Sequence, residues 1–154
     1  MTTKITGANV NTLSLGVVGG VVQTTLAAAL EKVTISATAS SGTINFELAT
    51  QSVLYYTTAA SGNFTVNIRG NSTTTLNSLM ATGQSITLAF LSTQGSPAYY
   101  NSSVTVDGAA ATVDWFGGAA PSAGNANGID VYTYTVIKTA NATFTVLASQ
   151  SRFA

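Results

Sequence analysis

The stretch Ile129-Asp130-Val131-Tyr132-Thr133-Tyr134-Thr135-Val136-Ile137 alternates side-chain character with a period of two. That alternation places neighbouring side chains on opposite faces of a strand. The turn Lys138-Thr139-Ala140-Asn141-Ala142 joins it to a second alternating run, Thr143 to Leu147, which continues towards Ser149. These are the two longest strands the sequence predicts, and they set the expectation of an all-β chain.

Working back from this pair, Gly117 to Gly128 is a loop too rich in Gly, Ala and Asn to pack by itself. Before it, Val104-Thr105-Val106 meets Asp107-Gly108, a hairpin signal, with Thr112 to Trp115 as the returning strand. Tyr99-Tyr100 opens a strand after Gly95 and Pro97, and Ile86 to Leu91 is a longer apolar one. Upstream, Val33–Thr38, Thr43–Leu48, Val53–Tyr56 and Phe64–Arg69 read as strands, with turn residues between them. Between the two groups, Ser72-Thr73-Thr74 offers capping oxygens to a short helix, Thr75–Met80, in which Leu76, Leu79 and Met80 fit a 3.6-residue period. Gly83 ends it. The helix is expected to plug one end of the β core.

Eight or nine short strands at 8 to 12 residue spacing indicate a sandwich or barrel. The order of four strands, helix and four strands predicts a jelly-roll-like β-sandwich, and no Cys-Trp-Cys framework supports an immunoglobulin domain. No internal sequence repeat stands out. The expected organisation is an extended N-terminal arm over residues 1–30 and a β domain over 31–154.

Only ten of the 154 residues are charged, five basic and five acidic, so the net charge is zero. Ordinary domains are about 25% charged, and net charge keeps monomers apart in solution. A chain so poor in charge reads as one meant to be assembled. It has no His and no Cys, which excludes Ser-His-Asp and Cys-His centres and zinc-finger-type sites. No Ser-x-x-Lys occurs, and five scattered basic residues make no stripe for nucleic acid.

Leu13 to Val22 (LSLGVVGGVV) is apolar, and Ala27-Ala28-Ala29 has the small residues of a leader cleavage site. The run has only Lys4 as a preceding charge and is too short and glycine-rich for a membrane span. It is read instead as an arm that packs on a neighbour through Leu13, Leu15, Val17, Val18, Val21, Val22 and Leu26.

The acids are Glu31, Glu47, Asp107, Asp114 and Asp130. A pair of them is a conceivable glycosidase dyad, but Asp107 belongs to a turn and the other aspartates to strands, so structural roles are expected. No Asp-rich calcium loop occurs. Tyr99, Tyr100, Trp115, Tyr132 and Tyr134 are candidates for a subunit interface or a glycan platform, since aromatic rings bury area while keeping a polar tip. Tyr132 and Tyr134 share one face of their strand. The Asn-x-Ser/Thr matches at Asn63, Asn71, Asn101 and Asn141 are what chance gives in this composition. Arg69 and Arg152 are expected in intersubunit hydrogen bonds.

From Arg69 to Ala154 the chain resembles a module recurrent in structural proteins of marine tailed phages, cyanophages especially. The likeness is carried by Thr75-Leu76-Asn77-Ser78, Thr82-Gly83-Gln84-Ser85-Ile86-Thr87-Leu88, Ala98-Tyr99-Tyr100 and Val106-Asp107-Gly108. It continues through Trp115 to Asn125 (WFGGAAPSAGN), Gly128 to Tyr132 (GIDVY) and Thr143 to Ser149 (TFTVLAS). The resemblance implies a virion structural protein without catalytic residues. An apolar arm before a β domain is similar to capsid decoration (cement) proteins, which commonly bind as trimers.

The expected function is therefore a non-enzymatic decoration protein of a phage capsid. Its expected partners are copies of itself, as a homotrimer, and the major capsid protein, with no cofactor, metal, nucleic acid or membrane. At roughly 25 cal/mol per Å², an arm burying several hundred Å² of apolar surface supplies adhesion that salt does not weaken. Two rival expectations are a tail-fibre or appendage tip that binds glycan, and a secreted filament or matrix subunit assembled by strand addition.

Overall fold

The structure, a computed structural model, describes residues 30–154. Glu31–Ala154 form one compact unit, an all-β sandwich of two sheets with one short helix. The strands are β1 (Val33–Ala39), β2 (Gly42–Glu47), β3 (Val53–Thr58), β4 (Phe64–Arg69), β5 (Ser85–Thr93) and β6 (Asn101–Val106). They continue with β7 (Ala109–Ala110), β8 (Val113–Trp115), β9 (Ile129–Ala140) and β10 (Thr143–Phe153), and α1 spans Leu76–Leu79. The alternating run that opened the sequence reading is β9, which extends three residues further than the alternation suggests.

Strand pairing corrects the jelly-roll expectation. A jelly roll is antiparallel, whereas here β1, β3 and β5 lie side by side in parallel, as do β2, β4 and β6 in the other sheet. The sheet orders are β1-β3-β5-β9-β10-β8 and β2-β4-β6-β7. From β1 to β6 the chain therefore winds in coils, each giving one strand to either sheet. Parallel neighbours need a long crossover, and the strand in the opposite sheet provides it. Only β9, antiparallel to both β5 and β10, departs from this winding in the larger sheet, and β8 then joins β10 in parallel.

The coils stack like upon like. Val33 and Ile35 lie beside Val53 and Tyr55, twenty residues on, while Ile44 and Phe46 lie beside Val66 and Ile68, twenty-two on. The corners stack as well: Ser61 N–H donates to Ser40 O (3.0 Å) and Ser52 N–H to Lys32 O (3.3 Å). A Cβ on Gly62 would meet that of Ser41 at 3.7 Å, so these corners accept small residues.

The interior is apolar and aromatic. Phe46, Phe64, Phe90 and Val146 are fully buried. Phe64 meets Phe90 and Tyr132 edge-on at 5.5 and 5.6 Å, contacts worth about 0.5–1.5 kcal/mol each beyond area burial. Helix α1 brings Leu76 and Met80 into this core, as expected, and leaves Leu79 exposed. Its N-terminus is held twice: Thr75 Oγ1 accepts from Ser78 N–H (3.1 Å), and the Asp107 carboxylate accepts from Leu76 and Asn77 N–H (2.6 and 2.9 Å). Asp107 and Gly108 both take positive φ, 52° and 81°, as a tight hairpin turn requires. The strand returning from that turn is only β7. Val113–Trp115, expected to complete the hairpin, crosses to the other sheet and pairs in parallel with Val146–Ala148.

Candidate functional site

Strand β9 decides which residues face outward. Its even-numbered row, Asp130, Tyr132, Tyr134, Val136 and Lys138, is buried; the odd row, Ile129, Val131, Thr133, Thr135 and Ile137, is half-buried on the outside. Tyr132 and Tyr134, expected at an interface or facing a glycan, thus belong to the core, where both are 0% exposed. Their bulk fills the sandwich, and their hydroxyls are satisfied internally. Tyr132 OH accepts from Asn101 N–H (3.2 Å) and Gln150 Nε2 (3.1 Å), and Tyr134 OH donates to Asn101 Oδ1 (3.3 Å). Burial pushes both phenols above their ordinary value.

Of the remaining aromatic candidates, Trp115 is half-buried at the end of β8 and packs edge-on against Tyr134 at 6.4 Å. Tyr99 and Tyr100 are half-buried in the loop before β6, their backbone amides held by Gln94 Oε1 and Asn63 Oδ1. Among the described residues no ring contact joins Tyr99 or Tyr100 to Trp115, so the candidates form no common platform. Leu13, Leu15, Val17, Val18, Val21, Val22 and Leu26 lie outside the described residues.

What the register assembles instead is the outer face of the six-stranded sheet. Ile35, Tyr55, Leu91 and Val131 stand side by side on β1, β3, β5 and β9. Beside them runs the row Val33, Val53 and Ala89. Ile129 with Phe153 lies towards one end of the β9–β10 pair and Leu147 towards the other. Ile35 is 67% exposed, Phe153 57% and Leu147 45%. Asp114, paired in register with Leu147, is the one charge on this face among the described residues. Near it a shallow cleft is lined by Asp114, Trp115, Phe116, Thr133, Leu147 and Ser149.

Several other charges are engaged in holding the fold. Glu47 accepts from Arg69 at 2.6 Å on the four-stranded sheet, so Arg69, expected at a subunit contact, is tied within its own sheet. Arg152 donates to Ala123 O (2.8 Å), also within the chain. Lys138 is buried and donates to Asn77 O and Met80 O (2.6 and 2.8 Å) behind α1. Asp130 is fully buried; one carboxylate oxygen accepts from Asn125 N–H (3.1 Å) and the other has no partner. Burial raises its carboxyl above the ordinary value, with the Asn125 amide, Gln150 and Arg152 pulling the other way.

The sandwich ends differ too. At one, the edge strands β7 and β8 have only two and three residues. At the other, the edges are β1 and β2, with seven and six.

Sequence reasoning missed the outer stripe because β9 carries apolar residues on both rows. The charges Asp130 and Lys138 mark the even row as the wet one by ordinary pattern rules, yet that row is the core. Comparison with protein-family models, with curated proteins and with solved structures returned no match.

Proposed function

We propose that this chain is a non-enzymatic structural protein of a phage virion, a capsid decoration subunit that works as a homo-oligomer. The observation that carries the reading is the stripe on the outer face of the six-stranded sheet, apolar across four strands, with Asp114 the one charge on that face among the described residues. Contiguous exposed apolar surface of this kind marks interaction sites. The mechanism is burial of that stripe against the particle's shell protein, a contact that salt leaves largely intact because it contains almost no charge. Three of the five acids have structural roles: Asp107 caps α1, Glu47 holds Arg69, and Asp130 is sealed in the core.

Immunogold labelling of intact virions tests this. Label spread over the whole capsid is expected. Label confined to one vertex or to the tail overturns decoration and favours an appendage tip, for which the Trp115–Phe116 cleft offers an aromatic ring beside hydroxyls and a carboxylate. A glycan array read with wild type and Trp115→Ala separates that second reading.

A further inference from the structure

The cleft beside Asp114 has a chemistry of its own. Asp114 stands on β8 in register with Leu147 on β10, and Thr133 and Ser149 face each other on β9 and β10. These four line the cleft together with Trp115 and Phe116. Asp114 is exposed, and the one ion pair among the described residues, Arg69 with Glu47, lies on the other sheet. Phe116 is 87% exposed. The turn that displays it, Phe116–Gly118, holds both glycines at φ 79°, a left-handed backbone that other residues adopt only with strain. A Cβ on either would meet nothing within 4 Å, so backbone conformation rather than crowding calls for glycine there.

Aromatic rings, an apolar wall, hydroxyls and an anion together suit a guanidinium. Its cation is attracted to an aromatic face, and its methylene stem packs on apolar surface such as Leu147. Its N–H fork matches a carboxylate and leaves donors over for hydroxyls. The surroundings favour the same ligand. Asp114 is continuous with the apolar outer face through Leu147 and Thr135. A partner that covers this face takes the carboxylate out of water, which is costly unless the charge is paired. A neutral saccharide, which also uses rings and hydroxyls, would leave that charge uncompensated. The chain's own described cations are placed elsewhere. Arg69 pairs with Glu47, Arg152 donates to Ala123 O, Lys138 lies behind α1, and Lys32 precedes β1 at the opposite edge of the sheet from β8. Lys4 lies outside the described residues.

We propose that the Asp114 cleft is a socket for an arginine side chain of the shell protein. Asp114 pairs with the guanidinium, the Trp115 and Phe116 rings flank it, and Leu147 covers its stem. This rests on the reading of the outer face as the attachment surface. The apolar stripe supplies the area of the contact, and the socket fixes its register, as charge complementarity does across interfaces.

Two measurements separate the socket from the attachment reading. In the first, wild type, D114N and F116A, each checked for an unchanged Tm, are spun with virions lacking the protein. Wild type is expected to pellet and both variants to bind at least tenfold more weakly. Either variant pelleting as wild type does overturns the socket and leaves decoration standing. In the second, backbone amide shifts of the isotope-labelled full chain are followed during titration with N-acetyl-arginine amide, its neutral counterpart N-acetyl-citrulline amide, and methyl glucoside. The arginine compound is expected to move Asp114, Trp115, Phe116, Thr133 and Ser149 together in wild type but not in D114N, with the citrulline compound at least tenfold weaker. Equal responses to the two, or none, overturn the socket even where wild type pellets. Arginine-specific shifts in a protein that does not pellet uphold the socket's ligand chemistry and overturn the shell protein as its source. Shifts with the glucoside alone make the cleft a saccharide site and overturn the proposal. A response to arginine seen only in K4Q seats the chain's own Lys4 in the cleft and likewise overturns it.

Discussion

The two sheets share one interior but turn opposite surfaces outward. On the four-stranded sheet the outer rows are polar and pair with one another across strands: Thr65 with Ser103 (2.6 Å), Asn67 with Asn45 (2.8 Å) and Thr105 (2.9 Å), and Glu47 with Arg69 (2.6 Å). That face uses its polar groups on itself. On the six-stranded sheet the rows Ile35-Tyr55-Leu91-Val131 and Val33-Val53-Ala89 are apolar except for the Tyr55 hydroxyl, which Thr93 reaches at 3.4 Å, and polar pairing is confined to such contacts as Thr87 with Thr135 (3.0 Å) further along β5 and β9. One face satisfies most of its polar groups within the sheet, whereas the other exposes an apolar stripe, and the proposed attachment rests on that stripe.

The largest expected effect removes what the faces share. Phe90→Ala opens a cavity under both sheets and should cost about 3–5 kcal/mol, read as a fall of 10 °C or more in Tm with loss of every surface property at once. A Tm within 2–3 °C of wild type would mean that the interior does not couple the sheets. Next, Asn67→Ala strips the polar face of the amide that also accepts from Gly108 N–H (2.9 Å). It should cost about 1–3 kcal/mol while particle attachment stays as in wild type. Lost attachment at unchanged Tm would place function on the wrong face.

A smaller effect comes from Asp130, buried on the inner side of the apolar sheet. Its folded pKa lies above the unfolded one, so the folded state holds its proton more tightly. Its contribution therefore favours folding at low pH and is lost as pH rises from the ordinary carboxyl range through the raised value. At pH 7 the wild type carries the cost of the buried charge. Asp130→Asn should melt about 2–5 °C higher there, with the gain shrinking as pH falls and gone at about pH 3, below the ordinary carboxyl range. A gain that is the same at both pH values would show that the carboxylate charge is not its cause.

Much of this fold was legible in the sequence, because period-two runs and turn residues are local signals. The strands β1 to β5, the Asp107-Gly108 turn and the long β9–β10 pair all stand where the pattern puts them. Pairing was not legible. A run such as Val33–Thr38 looks the same whether it meets the next strand or the one after, so parallel coiling was hidden. The faces of β9 were hidden for a different reason. Asp130 and Lys138 sit at the ends of the buried row, where Asn125 N–H and the carbonyls of Asn77 and Met80 take them in. Long-range partners of that kind leave no trace in nearby sequence. The outer stripe follows from the pairing, so it became visible only with it.

The claim that the apolar face attaches the subunit to the particle is tested most directly by co-sedimentation. Wild type, Leu91→Glu and Thr65→Glu, each checked for an unchanged Tm, are spun with virions lacking the protein. Leu91 sits in the centre of the apolar stripe and Thr65 at the matching place on the polar face. Wild type and Thr65→Glu are expected to pellet with the particles, and Leu91→Glu to remain in the supernatant with at least tenfold weaker binding. Leu91→Glu pelleting as wild type does would contradict the account.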